Sequence, residues 1–170
     1  LATLLHDLHA MAKEQRVASP SQTEGALRES ASHPSHDEMG PLTAGAAADA
    51  LDAILRGEAL STATMLQLLS AGGAALREES TVVDLQDATT VTVVGDLHGD
   101  MPSLMSVLRL AREAGAKGTS SFGCSSAHPI VFNGDFVDRG THGMEVLCAL
   151  LLLKLAHGTD GRAVVLLRGK

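Results

Sequence analysis

Apolar residues recur at helical spacing at the start of the chain, and a long polar stretch follows them. Five apolar side chains would share one face of a short amphipathic helix. They are Leu1, Leu4, Leu5, Leu8 and Met11. Residues 17–45 are rich in Ser, Pro, Gly and charge and show no sustained apolar period, which predicts a flexible linker. We therefore divide the chain into residues 1–45, a helix with a linker, and residues 46–170, a folded domain.

The hydrophobic pattern next predicts two helices and a strand. The first helix covers residues 46–57, and the second runs from a Ser61 cap to about Glu78. The glycine pair at 72–73 is expected to weaken the middle of the second helix, because glycine is a poor helix former. The sequence "TVVDL", residues 81–85, predicts a short strand.

From Val91 onward, strand patterns and helix patterns alternate. The strands are "VTVV", "PIVF" and "AVVLL", and the helices between them are "MPSLMSVLRLAREAG" and the almost wholly apolar "HGMEVLCALLLLKLAHG". This order predicts an α/β fold with a parallel sheet and right-handed crossovers. Residues 115–128 are expected to form a polar loop. Because ligands bind at the carboxyl edge of parallel sheets, the segments "GDLHG", "NGDFVDRG" and "RG" should converge there.

Composition narrows the classes of partner. The 170 residues are 45% hydrophobic, enough for a buried core, and a net charge of −7 argues against a nucleic-acid partner. The longest apolar stretch, residues 146–156, is too short to cross a bilayer, so we expect no membrane insertion. Cys124 and Cys148 cannot form a disulfide framework, which favours a reducing compartment and, by default, the cytoplasm.

Candidate chemistry lies at the ends of the first two regular strands. Asp96 and His98 follow the first strand, and Asp135 follows the second. Carboxylate oxygens together with a neutral imidazole nitrogen suit Mn, Fe or Zn better than Ca or Mg. An isolated Asp-x-His pair is more often a turn aspartate beside an incidental histidine, but a second Gly-Asp segment at the neighbouring strand end favours a metal site. Three glycines should let the backbone bend and let ligands approach closely. They are Gly95, Gly99 and Gly134.

The second segment also carries a candidate phosphate ligand. Arg139 offers a planar guanidinium that suits bidentate binding of a phosphate. The alternative for Asp138 and Arg139 is a surface ion pair of little energetic value. The remaining histidines are given no role, since solvent exposure or helix capping explains them. They are His6, His9, His33, His36, His128, His142 and His157.

The motifs "GDLHG" and "GDFVDRG" resemble the first two signature segments of the phosphoprotein phosphatases, the metal-dependent serine/threonine phosphatases. "LLRGK" at residues 166–170 approaches the third segment, "RGNHE", and "IVFNGDFVDRG" resembles most the branch containing protein phosphatase 5 and the EF-hand phosphatases. The likeness extends over residues 46–169. It implies a calcineurin-like metallophosphoesterase fold, a β-sandwich flanked by helices, of which residues 46–170 would be the incomplete N-terminal part of the catalytic domain, truncated at the third motif.

The resemblance also implies roles for the matched residues. Asp96 and His98 would hold a first metal ion, and Asp135 would bridge it to a second. Arg139 would bind the phosphoryl oxygens, and Asp138 would pair with the general-acid histidine of the family. Hydrolysis of phosphoserine or phosphothreonine would proceed by direct attack of a water activated by two transition-metal ions (Mn, Fe or Zn), without a phosphoenzyme. The partners implied are a phosphoprotein substrate and a regulatory protein.

One departure from the family pattern leaves two alternatives open. Lys170 stands where the family has the asparagine that ligates the second metal, so the ligands of only one metal would be present and the chain alone is expected to be inactive. The first alternative is a catalytically dead phosphatase-like module that binds partners through residues 115–128 or residues 1–11. The second is a metallophosphoesterase of the diadenosine tetraphosphate hydrolase type, in which proline typically follows "DRG", where Thr141 stands here.

Overall fold

The computed structural model describes residues 41–114, 122–158 and 161–169. These ranges contain three strands and four helices. The strands are Thr92–Val94 (β1), Ile130–Phe132 (β2) and Val164–Leu166 (β3), and the helices are Ala44–Leu55 (α1), Thr62–Glu78 (α2), Met101–Ala114 (α3) and Gly143–Ala156 (α4). The predicted amphipathic helix and the linker up to Gly40 lie outside the described residues.

The three strands form one parallel sheet in the order β1-β2-β3, which confirms the predicted parallel sheet. Val93 pairs with Val131, and Val131 pairs with Val165, so the strands end level with one another. The pairing continues one residue beyond the strands, where the Asn133 amide donates to the Val94 carbonyl at 2.9 Å. The loops that leave the carboxyl ends of β1 and β2 therefore start side by side.

Helix α4 forms the centre of the core. Nine of its fourteen residues are buried in an unbroken run from Val146 to Lys154, so the helix is covered on every side rather than along one stripe. It packs against α1, α2 and β3. The nearly continuous apolar sequence of this helix explains its position, because a helix that is apolar all round must be buried.

Lys154 is the charged residue in this buried run, and its ammonium group is fully satisfied. The side chain is 5% exposed and pairs with the carboxylate of Glu79, just after the end of α2. It also donates to the carbonyls of Val164, at 2.9 Å, and Gly161, at 3.3 Å. A lysine ammonium has three donors, so Lys154 ties the end of α2 to the start of β3.

The starts of α1 and α2 are fixed by hydroxyl caps. Ser61 accepts a hydrogen bond from the Thr64 amide at 3.0 Å, as predicted. Helix α1 starts at Ala44, two residues before the predicted start, because Thr43 caps it by accepting from the Ala46 amide at 3.2 Å. A threonine hydroxyl thus extends the helix into the region assigned to the linker.

The glycine pair of α2 marks a close packing contact rather than a weak point. Gly72 and Gly73 are both buried. A Cβ atom on Gly72 would lie 3.1 Å from a methyl group of Leu151 on α4. We expected these glycines only to weaken the helix. The structure shows a second effect: because Gly72 has no side chain, α2 can pack closely against α4.

One prediction from local pattern was wrong, and a second was incomplete. Residues 81–85 form no strand: Val82 is 79% exposed, and the Asp84 carboxylate accepts from the Gln86 amide at 3.0 Å, an arrangement typical of a turn. The described part of the predicted polar loop is packed: Phe122 and Cys124 are buried, and Ser125 pairs with His128 in an isolated bridge. Residues 115–121 of that loop lie outside the described ranges.

Candidate metal centre

Two backbone loops at the carboxyl edge of the sheet build the candidate site. The first loop, residues 95–100, leaves β1, and the second, residues 133–140, leaves β2. The amides of Leu97 and His98 both donate to the carbonyl of Asp135, at 3.1 and 2.9 Å. The Gly140 amide donates to the His98 carbonyl at 2.9 Å. These bonds fasten the loops to each other, so Asp96 and His98 are held beside Asp135 by the main chain.

The backbone at the candidate residues lies in an uncommon region of conformational space. Four non-glycine residues in the described parts of the chain have positive φ angles, and all four are residues that the sequence singled out. They are His98 (45°), Asp135 (50°), Asp138 (66°) and Arg139 (60°). A non-glycine residue in this region costs about 1–3 kcal/mol and persists where the surrounding structure enforces it, which occurs mainly at functional sites. The hydrogen bonds between the two loops supply that constraint.

The three predicted metal ligands come together. Asp96, His98 and Asp135 each offer one ligand atom, and these atoms lie within 4.8 Å of one another. Nε2 of His98 is 3.5 Å from Oδ2 of Asp96. The Asp96 side chain is 60% exposed, whereas His98 and Asp135 are half-buried, so the cluster opens toward solvent on the Asp96 side.

One hydrogen bond sets the tautomer of His98. Its Nδ1 lies 3.1 Å from the carbonyl oxygen of Val137, which can only accept, so Nδ1 carries the proton. The lone pair of Nε2 therefore points to the carboxylates. An imidazole whose other nitrogen donates to a backbone carbonyl is the usual arrangement of a metal-binding histidine. Two carboxylates and this nitrogen fit a cation that accepts both oxygen and nitrogen ligands.

Close backbone packing brings the third predicted segment against the second loop. Gly134 has a φ of 95°, and a Cβ atom on it would lie 2.0 Å from the Gly169 amide nitrogen. A Cβ atom on Gly169 would lie 2.1 Å from Oδ1 of Asp135. Glycine was expected where the backbone bends sharply or approaches another segment closely. Gly134 and Gly99, which has a φ of 69°, confirm this expectation. Gly95 does not, because its φ is not positive and a Cβ atom on it would have no neighbour within 4 Å.

Asp138 and Arg139 lie at the rim of the site. Both are exposed, and no hydrogen bond or ion pair links their side chains to another residue in the described ranges. The surface ion pair considered as an alternative is therefore not formed between them. The backbone of both residues is left-handed, and the next residue, Gly140, donates its amide hydrogen to the His98 carbonyl, which joins this part of the second loop to the first loop.

Asp100 is a residue of this site that the sequence reasoning passed over. Its carboxylate accepts from the Ser103 amide at 3.2 Å and from the Ser103 hydroxyl at 2.6 Å, and it caps α3 directly after the first loop. These hydrogen bonds to Ser103 hold the pKa of Asp100 below its ordinary value. An aspartate followed three residues later by serine at a helix start is the local signal that could have revealed it.

Comparison with known proteins shows which family the part of the chain around this sheet edge resembles. Residues 89–169 match the calcineurin-like phosphoesterase family. The match covers just under half of the chain. The matched range contains all three sheet strands, both loops and the segment around Gly169. The predicted α/β metallophosphoesterase fold is confirmed, here as part of the domain, and the second sheet of a β-sandwich is not among the described residues.

The chain is also similar to named protein phosphatases, which confirms the predicted resemblance. It is 52% identical over 66 residues to Serine/threonine-protein phosphatase rdgC of Drosophila melanogaster, covering 39% of this chain and 8% of that protein. It is 41% identical over 73 residues to Serine/threonine-protein phosphatase with EF-hands 1 of Rattus norvegicus, covering 43% of this chain and 10% of that protein. It is 36% identical over 84 residues to Serine/threonine-protein phosphatase 5 of Homo sapiens, covering 48% of this chain and 15% of that protein. The matched part of the chain thus spans 8–15% of the length of these three relatives.

Across the described ranges, the helices are too short or too polar to cross a bilayer.

Proposed function

We propose that this phosphoesterase domain supplies the first metal site and a phosphate-binding arginine of a serine/threonine protein phosphatase. The observation that carries the proposal is the cluster of Asp96, His98 and Asp135, whose ligand atoms lie within 4.8 Å of one another on two hydrogen-bonded loops. The named relatives, all called serine/threonine-protein phosphatases, support a phosphoprotein as the substrate.

The three side chains of the cluster would hold the metal. Asp96 and Asp135 offer carboxylate oxygens and His98 offers Nε2, a donor set that suits Mn, Fe or Zn. Asp135 is the residue proposed to be shared with a second ion, because it lies between the first loop and the Gly169 segment. When bound, such ions supply Lewis acidity, which lowers the pKa of water and neutralises charge on a phosphate group.

The chain's own residues would bind and orient the substrate. The exposed guanidinium of Arg139 is available to a phosphoryl group in solution, and its planar donors match two phosphate oxygens. The left-handed backbone at Asp138 and Arg139 fixes where these side chains leave the loop, which lowers the entropy lost when the phosphate binds. Asp138 is the residue proposed to orient a general-acid histidine.

Metal binding tests the cluster directly. We expect the unmodified chain to bind Mn²⁺ in isothermal titration calorimetry, and we expect Asp135→Asn to weaken binding by at least about tenfold, since it removes a charged ligand. Asp84→Asn is the matched control, because Asp84 is an exposed aspartate outside the cluster. Equal loss of affinity in both variants, or no binding by the unmodified chain, would contradict the metal site.

Hydrolysis separates the proposed activity from the two alternatives. The Mn²⁺-loaded protein is assayed with a phosphoserine peptide and with a dinucleoside polyphosphate. Release of phosphate from the peptide, reduced in Arg139→Lys, supports the proposal, because lysine cannot form the bidentate contact. Preferential cleavage of the dinucleotide would identify a different phosphoesterase. Metal binding with no hydrolysis of either substrate is the result expected of this chain alone; in that case weaker binding of the phosphoserine peptide by Arg139→Lys supports the proposal, and unchanged binding favours a binding module.

A further inference from the structure

A thiol and an imidazole meet on the far side of the core from the metal centre. Sγ of Cys124 lies 3.1 Å from Nε2 of His157 and 3.9 Å from its Nδ1. Cys124 comes before the amino end of β2, and His157 follows the last residue of α4. Because α4 begins next to the second site loop and a helix rises about 1.5 Å per residue, the pair lies roughly 20 Å from the metal centre.

The end of α4 fixes the orientation of the imidazole. Nδ1 of His157 lies 2.8 Å from the carbonyl oxygen of Leu153, so Nδ1 donates the proton and Nε2 presents its lone pair to the sulfur. His157 is also the C-cap residue of α4. The Phe122 ring meets the imidazole edge-on, with ring centroids 6.4 Å apart.

Two glycines fix the position of the pair. Gly123 has a φ of 78°, and a Cβ atom on it would lie 2.4 Å from the Cα atom of Arg112, so the backbone beside Cys124 lies directly on α3. Gly158, with a φ of 54°, ends α4 directly after His157. The close approach of Gly123 to α3 and the end of α4 at Gly158 thus place the thiol and the imidazole at hydrogen-bond distance.

The second cysteine has the opposite surroundings. Cys148 lies within the buried run of α4, and its thiol contacts Sδ of Met65 at 3.4 Å rather than a base. Burial, together with the charge of Glu145, raises the pKa of Cys148 to about 11, so this thiol stays protonated at neutral pH. The chain thus contains one thiol with an oriented base and one thiol in an apolar contact.

We propose that Cys124 and His157 form a thiolate–imidazolium dyad and that Cys124 is a site of oxidation by hydrogen peroxide. A nucleophile, an adjacent base and a third group that orients the base are the arrangement that activates cysteine. The thiolate is the reactive form of the residue. This proposal does not depend on the proposed phosphatase activity, because neither residue belongs to the metal centre.

The chemistry balances with the dyad and peroxide alone. The sulfur of Cys124 attacks one oxygen of hydrogen peroxide, an S–O bond forms and the O–O bond breaks. Hydroxide leaves and takes the proton from Nε2 of His157, which gives water and a neutral imidazole. The sulfur is oxidised by two electrons to sulfenic acid, and the peroxide is reduced to water.

Burial restricts which reagents reach the sulfur. Cys124 is 1% exposed, whereas the imidazole of His157 is partly exposed. A water-sized oxidant can enter through small fluctuations at the His157 side, whereas a bulky thiol reagent needs a larger opening. The dyad is therefore assigned to peroxide rather than to a large electrophile.

The experiment compares the two cysteines within one molecule. The folded chain is treated with limiting hydrogen peroxide, each sample is then unfolded in denaturant that contains dimedone to trap the sulfenic acid, and labelling at each cysteine is followed by mass spectrometry. We expect Cys124 to be labelled at least about tenfold faster than Cys148, since a thiolate and not a thiol is the nucleophile. Equal rates in the unmodified chain would overturn the proposal without any variant.

Variants then test whether Cys124 reacts because His157 acts as its base or only because peroxide can reach the thiol. His157→Gln should slow the labelling of Cys124 at least about tenfold, because the variant lacks the base. His128→Gln is the matched control: His128 is a partly buried histidine whose recorded ring contact is with Thr89. Circular dichroism verifies the fold of each variant. Labelling of Cys124 in folded His157→Gln at the rate of the unmodified chain would overturn the dyad.

Discussion

Replacing Gly134 by alanine should separate the loops that form the candidate metal centre. Gly134 has a φ of 95°, and a Cβ atom there would lie 2.0 Å from the amide nitrogen and 2.2 Å from the Cα atom of Gly169. Both contacts are with backbone, so no side chain can rotate away. Non-bonded heavy atoms settle about 3.5–4.0 Å apart, which means that the segment around Gly169 must move by more than about 1 Å.

The expected cost has two parts. A left-handed conformation costs an L-residue about 1–2 kcal/mol. Overpacking a closely packed contact costs about 1–3 kcal/mol more. We therefore expect Gly134→Ala to lower the free energy of unfolding by about 2–5 kcal/mol. Because Gly169 packs directly on Oδ1 of Asp135, its displacement should also weaken Mn²⁺ binding.

The first loop offers a matched control. Gly95 precedes Asp96 as Gly134 precedes Asp135, but a Cβ atom on Gly95 would have no neighbour within 4 Å. Gly95→Ala should change the free energy of unfolding by less than about 0.5 kcal/mol, as an exposed substitution usually does. Urea denaturation of both variants, with and without Mn²⁺, measures the two effects. If Gly134→Ala is as mild as Gly95→Ala, the close approach of the third segment is wrong.

Two further predictions concern the core around α4. Lys154→Met should lower the free energy of unfolding in urea by about 3–5 kcal/mol, because it leaves the Glu79 carboxylate and two carbonyls without their buried donor. The double variant Lys154→Met/Glu79→Gln should recover part of that loss, and a double variant less stable than the single one would contradict a paired interaction. Stability should also fall as the pH rises from about 9 toward 11. Burial and Glu145 raise the pKa of Cys148 to about 11 in the folded chain, so the folded state keeps a proton that the unfolded thiol has lost. Cys148→Ala should remove this part of the pH dependence, measured as the urea midpoint at each pH; an unchanged slope would show that Cys148 is not its source.

The order of elements could be predicted because it depends on local pattern. Strands and helices alternate in the sequence from Val91, and a parallel sheet follows from that order. The convergence of the two site loops also followed, because parallel strands end at one edge. The role of Lys154 could not be predicted in the same way, since its partner Glu79 lies 75 residues away in the sequence.

Failures of prediction arose where a residue type serves two purposes. The pattern of residues 81–85 suits a strand, but Asp84 forms a turn with Gln86, and none of the strands in the described ranges pairs with this segment. Strand propensity describes fit to a half-buried pleated surface, so it cannot act without a neighbouring strand. His157 illustrates the same difficulty: helix capping was expected and is present, but the contact with Cys124 joins residues 33 positions apart.

The conformation of the site loops shows why the motif could be recognised but its strain could not. Glycine was expected at the sharp bends, and Gly99 and Gly134 meet that expectation. Asp135 also adopts a left-handed conformation, although glycine would do so at lower cost. Glycine at this position would remove the carboxylate, so the chain keeps the candidate ligand and accepts the strain. Hydrogen bonds from Leu97 and His98 to the Asp135 carbonyl hold it in place, which means that the two loops must be folded together for either to have its native shape.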